Sequence, residues 1–376
     1  MSQGITYTPK WVRRLLIPFL NLSAAFAVSS LVIMMIGEDP INAFAVMIKG
    51  AFGSFEGLGY TLYYSTNLIF TGLAVAIALH CGLFNIGGEG QAYIGGLGIG
   101  LVCLMFDGLP WPVVFLLTMI TGALFGAAWG FLPGYLQAKR GSHIVITTIM
   151  FNFIASSLMV YLLVNVLMNP GQMSPETRSF APESMLPKIH EILSVFGITV
   201  SPSPLNLSFL WALICCVLVW FFIWRTKWGY AMRAVGKNPR AAEYAGISSS
   251  KYIVLAMVLS GAIAGFVGLN ELTGVQHRLI LNFQAGYGFT GIAVALMARN
   301  HPFSIIFSAL LFGSLYQGGA ELSFEVQRVT PEIVVVIQGL IILFSGALEN
   351  LFKPHVEAFF AKKVSMGSTQ LNGGTA

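Results

Sequence analysis

One glycine-rich stretch carries the residues best suited to line a path for a solute. Eight glycines lie within residues 82–100, together with the polar side chains of Asn85, Glu89 and Gln91. Glycine destabilises a helix by about 1 kcal/mol relative to alanine, so the stretch predicts an unwound helix or very close helix contacts. A carboxylate in hydrocarbon is costly, so Glu89 must face protein, water or a partner. Two interpretations stay open, a lining of a translocation path or a structural hinge near the inner face of a membrane.

Two further polar residues share one face of a predicted helix. Thr148 and Asn152 are four positions apart in the apolar run 143–168, so a helix there brings both side chains to the same face. A threonine hydroxyl in a membrane helix often bonds within that helix, whereas an asparagine amide needs more partners. Asn152 is therefore predicted either to line the path or to form a hydrogen bond between helices.

A basic segment at residues 225–251 combines positive charge with a predicted short helix. It contains six Lys and Arg residues. Residues 236–239 predict a turn. Asn238 can cap a helix over residues 239–245 whose first residue is Pro239, and Gly246 is a typical residue to end that helix. The segment is predicted to lie parallel to the membrane, outside it. There it would bind anionic lipid head groups or dock into a groove of a cytoplasmic partner.

Motifs for nucleotide binding, metal binding or catalysis are missing from the sequence. The Gly236-Lys237 pair lacks the glycine five positions earlier that a phosphate-binding loop requires. The four cysteines have no zinc-type spacing and are predicted to fill space as small apolar side chains. No metal or cofactor is therefore expected in this chain, and no energy source is evident in it. A subunit of a pump, powered by a separate ATPase, would explain both the predicted docking helix and the missing nucleotide site.

The composition identifies the elements that hold these residues. Of 376 residues, 9% are charged and 56% are hydrophobic, and the mean hydropathy is +0.77. Soluble domains carry about 25% charged residues, so a soluble globular protein is excluded, and so is a disordered chain. Long unbroken apolar runs favour membrane helices over the alternating strands of a barrel. The predicted fold class is all-α, in a polytopic membrane protein.

Gaps between charged residues predict about ten transmembrane helices. The predicted spans are 15–36, 61–80, 86–106, 111–136, 143–168, 206–224, 252–270, 286–298, 303–319 and 331–348. With both termini in the cytoplasm, fifteen of the twenty Lys and Arg residues fall inside, as the positive-inside rule favours. The predicted organisation is a cytoplasmic N-terminus at 1–14, a transmembrane domain at 15–348 and a cytoplasmic tail at 349–376.

Two patterns of glycine predict how the helices are arranged. Spans two to five recur as spans seven to ten, and the copies would be inverted because an odd number of spans separates them. The glycine-rich segments 85–91 and 282–288 precede spans three and eight of these copies, a pattern typical of transporters built from inverted repeats. Separately, small residues at every fourth position predict packing faces for close helix contact, at Gly122, Gly126, Gly130 and Gly134 and at Gly261 and Gly265.

Four separated runs, in matching order, resemble one family over nearly the whole chain. They are GLFNIGGEGQAYIGG at 82–96, LQAKRGSHIVITTIMFNFIA at 136–155, AVGKNPRAAEYAGI at 234–247 and GYGFTGIAVALMARNHP at 286–302. These runs are similar to those of the bacterial ABC importer permeases of the branched-chain amino acid and ribose superfamily. Within it, the resemblance is strongest to nucleoside and simple-sugar permeases that work with a basic-membrane-protein-type lipoprotein.

The resemblance implies a transmembrane permease subunit of an ATP-binding-cassette importer, in the bacterial cytoplasmic (inner) membrane. Such a subunit is not itself an enzyme, and it would translocate a nucleoside or simple sugar that an extracytoplasmic binding lipoprotein delivers. The resemblance further implies a second homologous permease subunit and a cytoplasmic ATPase with two nucleotide-binding domains, which binds the ATP. It assigns to the ATPase-coupling loop the residues Gly236, Asn238, Ala242, Glu243 and Gly246.

Two alternatives stay open at this point, beside a channel or a purely structural subunit of the importer whose partner contributes the substrate contacts. The first is an ABC permease for branched-chain amino acids. The second is a stand-alone secondary transporter driven by an ion gradient, which would need carboxylates at the centre of the membrane. Glu89 is the only acid that the predicted spans supply for that role.

Overall fold

The computed structural model describes residues 16–344 and the single residues 12 and 356. Within the described residues the chain is helical, with two isolated β-bridges and no strand. The α-helices are α1 Ile17–Met35, α2 Pro40–Phe52, α3 Phe55–His80, α4 Gly88–Met105, α5 Trp111–Arg140, α6 Ile144–Leu162, α7 Ile189–Val195, α8 Ser208–Arg225, α9 Lys227–Lys237, α10 Pro239–Tyr244, α11 Ser249–Ala264, α12 Tyr287–Met297, α13 Pro302–Glu325 and α14 Pro331–Ile342. The all-α prediction is confirmed.

Local sequence signals explain several helix boundaries. The Ser54 hydroxyl accepts a hydrogen bond from the Gly57 N–H at 2.9 Å and so caps the start of α3. Gly141 ends α5 with a left-handed φ of 69°, a conformation that glycine adopts without steric cost. Two α-helices continue as π-helix, α6 through Leu163–Leu167 and α11 through Leu269–Gln276, the latter after a short turn.

The number of membrane crossings is smaller by strict criteria than the sequence predicts. Six described helices are long and apolar enough to cross a membrane, namely Phe55–His80, Trp111–Arg140, Ile144–Leu167, Ser208–Arg225, Ser249–Gln276 and Pro302–Glu325. A seventh crossing results if Ser23–Met35 and Pro40–Phe52, bent by 113°, form one span. A helix lies at each of the ten predicted spans, but α12 and α14 are short and α4 is not among the helices that qualify, so the count of ten stays a prediction.

The chain divides into two compact units. The larger unit, Ile48–Gly318, contains every residue of the candidate sites predicted from the sequence. The smaller unit comprises Met1–Met47 and Gly319–Ala376, and within its described residues α1 packs against α14. The predicted N-terminal segment 1–14, apart from residue 12, and the predicted tail 349–376, apart from residue 356, lie outside the described residues.

Helix α3 is the most buried of the long helices in the larger unit, and the most extensive helix contact there is between α5 and α11. Most of α3 is buried, and it contacts α8, α11 and α12. Helices α5 and α11 approach so closely that a Cβ atom on Gly126 would overlap the carbonyl group of Gly261. On the other helix, a Cβ atom on Gly265 would overlap the carbonyl group of Gly122. The two predicted glycine rows therefore face each other across one helix contact.

Three helices were not predicted from the sequence. Helix α2 follows α1 after a short turn, and α7 lies in the loop between α6 and α8. Helix α9, Lys227–Lys237, occupies the first half of the basic segment, where the sequence predicted a loop. Its apolar residues Ala231, Met232 and Val235 are buried against the larger unit, which explains why this charged segment is helical.

Candidate functional site

The predicted helix break near Asn85 is present. Helix α3 ends at His80 and α4 begins at Gly88, and the residues between them are not helical. The Asn85 side chain holds this connection, since its Nδ2 donates to Gln91 Oε1 at 2.9 Å and to Ser260 Oγ at 2.8 Å. Its Oδ1 accepts the N–H of Gly87 at 2.8 Å. Asn85 and Gln91 are each 1% exposed.

This connection lies deep in the helix bundle. Ser260 is about 16 Å along α11 from Ser249, at a rise of 1.5 Å per residue. The Ser260 hydroxyl also donates to the carbonyl of Ala74, well inside α3, at 2.6 Å. Asn85 is therefore level with the interiors of two long helices. The chain after His80 turns back between the helices before α4 begins, and a position toward the inner face of the membrane stays a prediction.

Glu89 joins the two glycine-rich segments that the sequence singled out. Its Oε1 accepts the N–H of Gly286 at 2.9 Å, and its Oε2 accepts the N–H of Gly288 at 2.8 Å. The carboxylate lies in the first turn of α4 and binds free N–H groups at the start of α12. A negative charge is favourable at a helix N-terminus, where the unpaired N–H groups and the helix dipole are positive. Glu89 is only 8% exposed, so this bond is shielded from water.

The starts of α4 and α12 are in direct contact. A Cβ atom on Gly288 would overlap the backbone of Glu89. Beside this contact the N–H of Asn282 donates to the Tyr93 hydroxyl at 2.9 Å. We call residues 85–91 and 282–288 together the glycine junction. The sequence predicted each segment as a helix break, but it gave no sign that the two breaks meet.

Asn152 connects α6 to the glycine junction. Its Oδ1 accepts the N–H of Gly90 at 2.9 Å, and its Nδ2 donates to the carbonyl of Ile86 at 3.0 Å. Thr148, one turn earlier, bonds within its own helix, to the Ile144 carbonyl at 2.8 Å. The amide of Asn152 therefore joins α6 to the connection before α4 and to the start of α4, as the interpretation of a hydrogen bond between helices requires. All five predicted path or hinge residues are buried in one neighbourhood.

The predicted cap of the short surface helix is present in α10. Asn238 is extended, and its Oδ1 accepts the N–H of Ala241 at 3.1 Å, while Pro239 occupies the first helical turn. Gly246 follows the helix with a φ of 78°, which favours glycine at this position. The helix ends at Tyr244, one residue earlier than predicted. Gly236, expected in a turn, lies in the last turn of α9.

The segment around α10 presents side chains to the surroundings. Glu243 and Gly246 are exposed, and Tyr244 is 95% exposed, whereas Ala242 is buried beneath them. A groove of about 590 Å³ runs beside α10, and residues at the end of α3, in α9 and in α10 line it. The end of α3 and α9 are fixed to each other because Gly236 packs against the backbone of residues 80–82. The surface helix therefore rests on a rigid support.

One buried carboxylate was missed by the sequence analysis. Glu271 lies in the π-helical extension Leu269–Gln276 and is 3% exposed. Its Oε1 accepts hydrogen bonds from the Tyr63 hydroxyl at 2.7 Å and from Asn67 Nδ2 at 2.6 Å. The expectation that Glu89 is the only such acid is therefore wrong. Spans were delimited by charged residues, so the charge of Glu271 itself ended the predicted span at residue 270.

The described residues offer no site for a metal ion. They contain no group of three or more His, Cys, Asp or Glu side chains that could hold one. The four cysteines are free and buried. Long apolar helices surround a buried, polar contact between the starts of α4 and α12. These features define an integral membrane transport protein.

The comparisons with known proteins give the family. Residues 57–346 match the family model described as "Branched-chain amino acid transport system / permease component", and the chain belongs to this family. Its members are permease components, so the chain is a multi-pass membrane permease and not an enzyme. No solved structure matches the chain.

Three curated relatives are similar over most of the chain. The guanosine ABC transporter permease protein NupP of Bacillus subtilis is 35% identical over 89% of this chain and 94% of its own. The nucleoside ABC transporter permease protein NupB of Lactococcus lactis is 34% identical over 88% and 90%. The glucose ABC transporter permease protein TsgB13 of Haloferax volcanii is 31% identical over 96% and 94%. Each of these three organisms also has a second permease similar to this chain.

Proposed function

We propose that this chain is the permease subunit of an ATP-binding-cassette importer for nucleosides. The observation that carries the proposal is the similarity to NupP and NupB, at 35% and 34% identity over nearly nine tenths of the chain. Both relatives are named for nucleosides. A simple sugar is the second candidate, because the similarity to the glucose permease TsgB13 extends over 96% of the chain. Branched-chain amino acids come next, on the description of the family alone.

The glycine junction supports ten crossings and an inverted repeat. In that topology the connection before α4 enters from the cytoplasm, and the connection before α12 enters from outside. The starts of the two helices can then meet only if both connections dip to the middle of the membrane. Helix α12 has 11 residues and is about 16 Å long, about half of a membrane. Broken helices that meet at the midplane are typical of transporters with inverted repeats.

The glycine junction acts, in this proposal, as the hinge of the translocation path. The side chains of Asn85, Glu89, Gln91 and Asn152 are bonded to other elements of the protein rather than left open to a solute. Thr148 is bonded within its own helix. These bonds favour a role in holding and releasing the starts of α4 and α12 over direct contact with the solute.

The segment 225–251 couples the permease to the ATPase. The residues Gly236, Asn238, Ala242, Glu243 and Gly246 build or surround a capped, exposed helix beside a groove. Such a helix has a defined shape for a partner to bind, which a flexible basic loop lacks. ATP binds the partner ATPase, and its different affinity for the two states of the importer shifts the permease between them.

The remaining partners follow from the same assignment. A second homologous permease completes the pathway, as the paired permeases of the relatives' organisms indicate. An extracytoplasmic binding lipoprotein delivers the nucleoside. The importer lies in the bacterial cytoplasmic (inner) membrane with both termini in the cytoplasm, as the excess of Lys and Arg in the predicted inside loops favours.

Reconstitution of the whole importer tests the proposal. The two permeases and the ATPase are placed in liposomes with the binding lipoprotein outside, and ATP-dependent uptake of labelled guanosine, glucose and leucine is measured. Guanosine uptake is expected. Uptake of glucose or leucine alone would contradict the nucleoside assignment, and uptake by this chain without the ATPase would indicate a secondary transporter.

The same preparation tests the coupling segment. Replacing both exposed residues, Glu243→Arg and Gly246→Arg, should abolish uptake and leave the amount of protein in the membrane unchanged. The matched control is Arg140→Glu, a charge reversal at an exposed residue at the end of α5, which should keep uptake. Normal uptake by the double variant would refute the coupling role.

A further inference from the structure

Glu271 belongs to a buried polar network that the hinge and the coupling segment do not use. It accepts hydrogen bonds from Tyr63 and Asn67 of α3 at 2.7 and 2.6 Å. The adjacent Asn270 donates to the Tyr63 carbonyl at 3.1 Å and to Asn67 Oδ1 at 3.0 Å. Two consecutive residues of one helix are thus bonded to one turn of α3. Asn67 lies near the middle of α3, so the network is at the centre of a membrane span.

The backbone at this point is specialised. Residues 269–276 form a π-helix, and short π-helical segments inside membrane helices frequently mark functional sites. The two hydrogen bonds that Glu271 accepts both go to Oε1. Within the described chain, Oε2 accepts no hydrogen bond. A carboxylate at membrane depth calls for a partner, and Oε2 is the oxygen that can still take a donor.

Three further tyrosine rings adjoin this network, since Tyr64 packs against Tyr63 with ring centroids 5.1 Å apart. The rings of Tyr64 and Tyr316 are stacked, with centroids 5.6 Å apart and planes 27° apart. Tyr287 adjoins Tyr316, with ring centroids 5.9 Å apart. Tyr287 is also the residue between Gly286 and Gly288, whose N–H groups bind Glu89. The rings therefore connect the network to the glycine junction.

One side of this group is incompletely buried. Tyr64, Tyr316 and Thr290 are half-buried, although they lie in apolar helices. The hydroxyls of Thr290 and Tyr316 are 3.1 Å apart and bond to each other. Polar groups of membrane helices face protein or a water-filled cavity rather than lipid. The exposed parts of Tyr64, Tyr316 and Thr290 are therefore available to a solute in the pathway or to the second permease.

We propose that Tyr63, Tyr64, Asn67, Glu271, Tyr287 and Tyr316, here named the tyrosine–glutamate cluster, bind the base of the nucleoside during its passage. The proposal rests on the proposed function. The base stacks on the half-buried faces of Tyr64 and Tyr316, and a base N–H donates to Oε2 of Glu271. A base has two apolar faces and one polar edge, which fits flat rings beside a single open oxygen. A sugar ring, with hydroxyls on all sides, would leave most of them without partners here.

The test compares guanosine with 1-methylguanosine, which lacks the N1–H of the base. Uptake is measured in the reconstituted importer with the binding lipoprotein at saturation. Because all variants share that lipoprotein, its own preference cancels in the ratio of each variant to the wild type. Glu271→Gln should lower guanosine uptake about tenfold, the effect of weakening a hydrogen bond to a charged group, and should affect 1-methylguanosine less.

Two further variants separate binding from folding. Tyr316→Leu removes a half-buried stacking face and should lower the uptake of both nucleosides about tenfold, with normal amounts of protein in the membrane. Tyr252→Leu, at a half-buried tyrosine in the first turn of α11 and outside the cluster, is the matched control and should keep uptake near the wild-type rate.

Failure of this inference is distinct from failure of the proposed function. If the wild type imports guanosine while Glu271→Gln and Tyr316→Leu keep both rates within twofold, the cluster is not the site. If Glu271→Gln reduces the two nucleosides equally and Tyr316→Leu leaves them unchanged, Glu271 has a structural role only, and the inference is overturned. If the wild type imports no nucleoside, the proposed function fails, and the site assignment with it.

Discussion

The glycine junction and the segment around α10 look similar as sequence, since both combine glycines with a glutamate and an asparagine. In the structure they differ in what their polar groups contact. The carboxylate of Glu89 binds two N–H groups inside the protein, whereas Glu243 is exposed. Asn85 bonds three neighbours, whereas Asn238 bonds only the start of its own helix. Burial thus distinguishes the glycine junction, whose polar groups bond within the protein, from the segment around α10, whose polar groups are exposed to a partner.

The largest loss of stability is expected from a substitution of Gly288 in the glycine junction. Leucine there would overlap the backbone of Glu89, which side-chain movement cannot relieve. Gly288→Leu should lower the free energy of unfolding by about 3 kcal/mol, the upper range for overpacking, and should reduce the yield of folded protein. Thermal unfolding of the purified protein in detergent measures this effect.

The control for Gly288 is another helical glycine with free space around it. A Cβ atom on Gly339 in α14 would have no neighbouring atom of the described residues within 4 Å, so a side chain fits there. Gly339→Leu should therefore leave the unfolding temperature nearly unchanged. Equal losses in both variants would show that the contact between α4 and α12 is not tight.

A smaller effect is expected from Glu89→Gln. The glutamine keeps the shape of the side chain, but its Nε2 group turns a donor toward one of the two N–H groups of α12. The loss of a charged hydrogen bond should lower the free energy of unfolding by about 2 kcal/mol. The same substitution at the exposed Glu243 should change it by less than about 0.5 kcal/mol. Denaturant or thermal unfolding measures the change in the free energy of unfolding for both variants. Similar changes for Glu89→Gln and Glu243→Gln would contradict the contrast between the two regions.

The smallest effect on stability is expected from Asn238→Ala. Loss of the cap should destabilise α10 by about 1 kcal/mol, without a change in global unfolding, because the helix is short and peripheral. Faster amide hydrogen exchange in residues 239–244 and lower ATP-dependent uptake are the expected observations. Asn238→Asp restores a cap and should recover both, so an uptake defect shared by the two variants would indicate that the asparagine itself contacts the partner.

The sequence predicted those structural features that depend on residues close together in the chain. The start of α10 follows from Asn238 and Pro239 alone, and its end follows from Gly246, because capping is a local interaction. The helix breaks also follow from local composition. The packing of α5 against α11 was implied by the spacing of small residues, although the sequence did not state which row meets which.

Contacts between distant residues could not be predicted in this way. Nothing in the sequence pairs Glu89 with Gly286, because the bond depends on how two connections enter the helix bundle. Two predictions were wrong because charged residues were assumed to mark the ends of membrane spans. The predicted span ended before Glu271, although Tyr63 and Asn67 accommodate the charge of that residue inside the helix bundle. Helix α9 was predicted as a loop, although its charged residues surround a buried apolar face.

The contact between α5 and α11 limits how the permease can change shape. The carbonyl group of Gly261 fills the space that Gly126 leaves without a side chain, and the carbonyl group of Gly122 fills the space at Gly265. Sliding one helix along the other by a single residue would bring a larger side chain onto a backbone oxygen. These two helices therefore travel together as one rigid body, and the gap that admits a solute has to open along their flanks rather than between them.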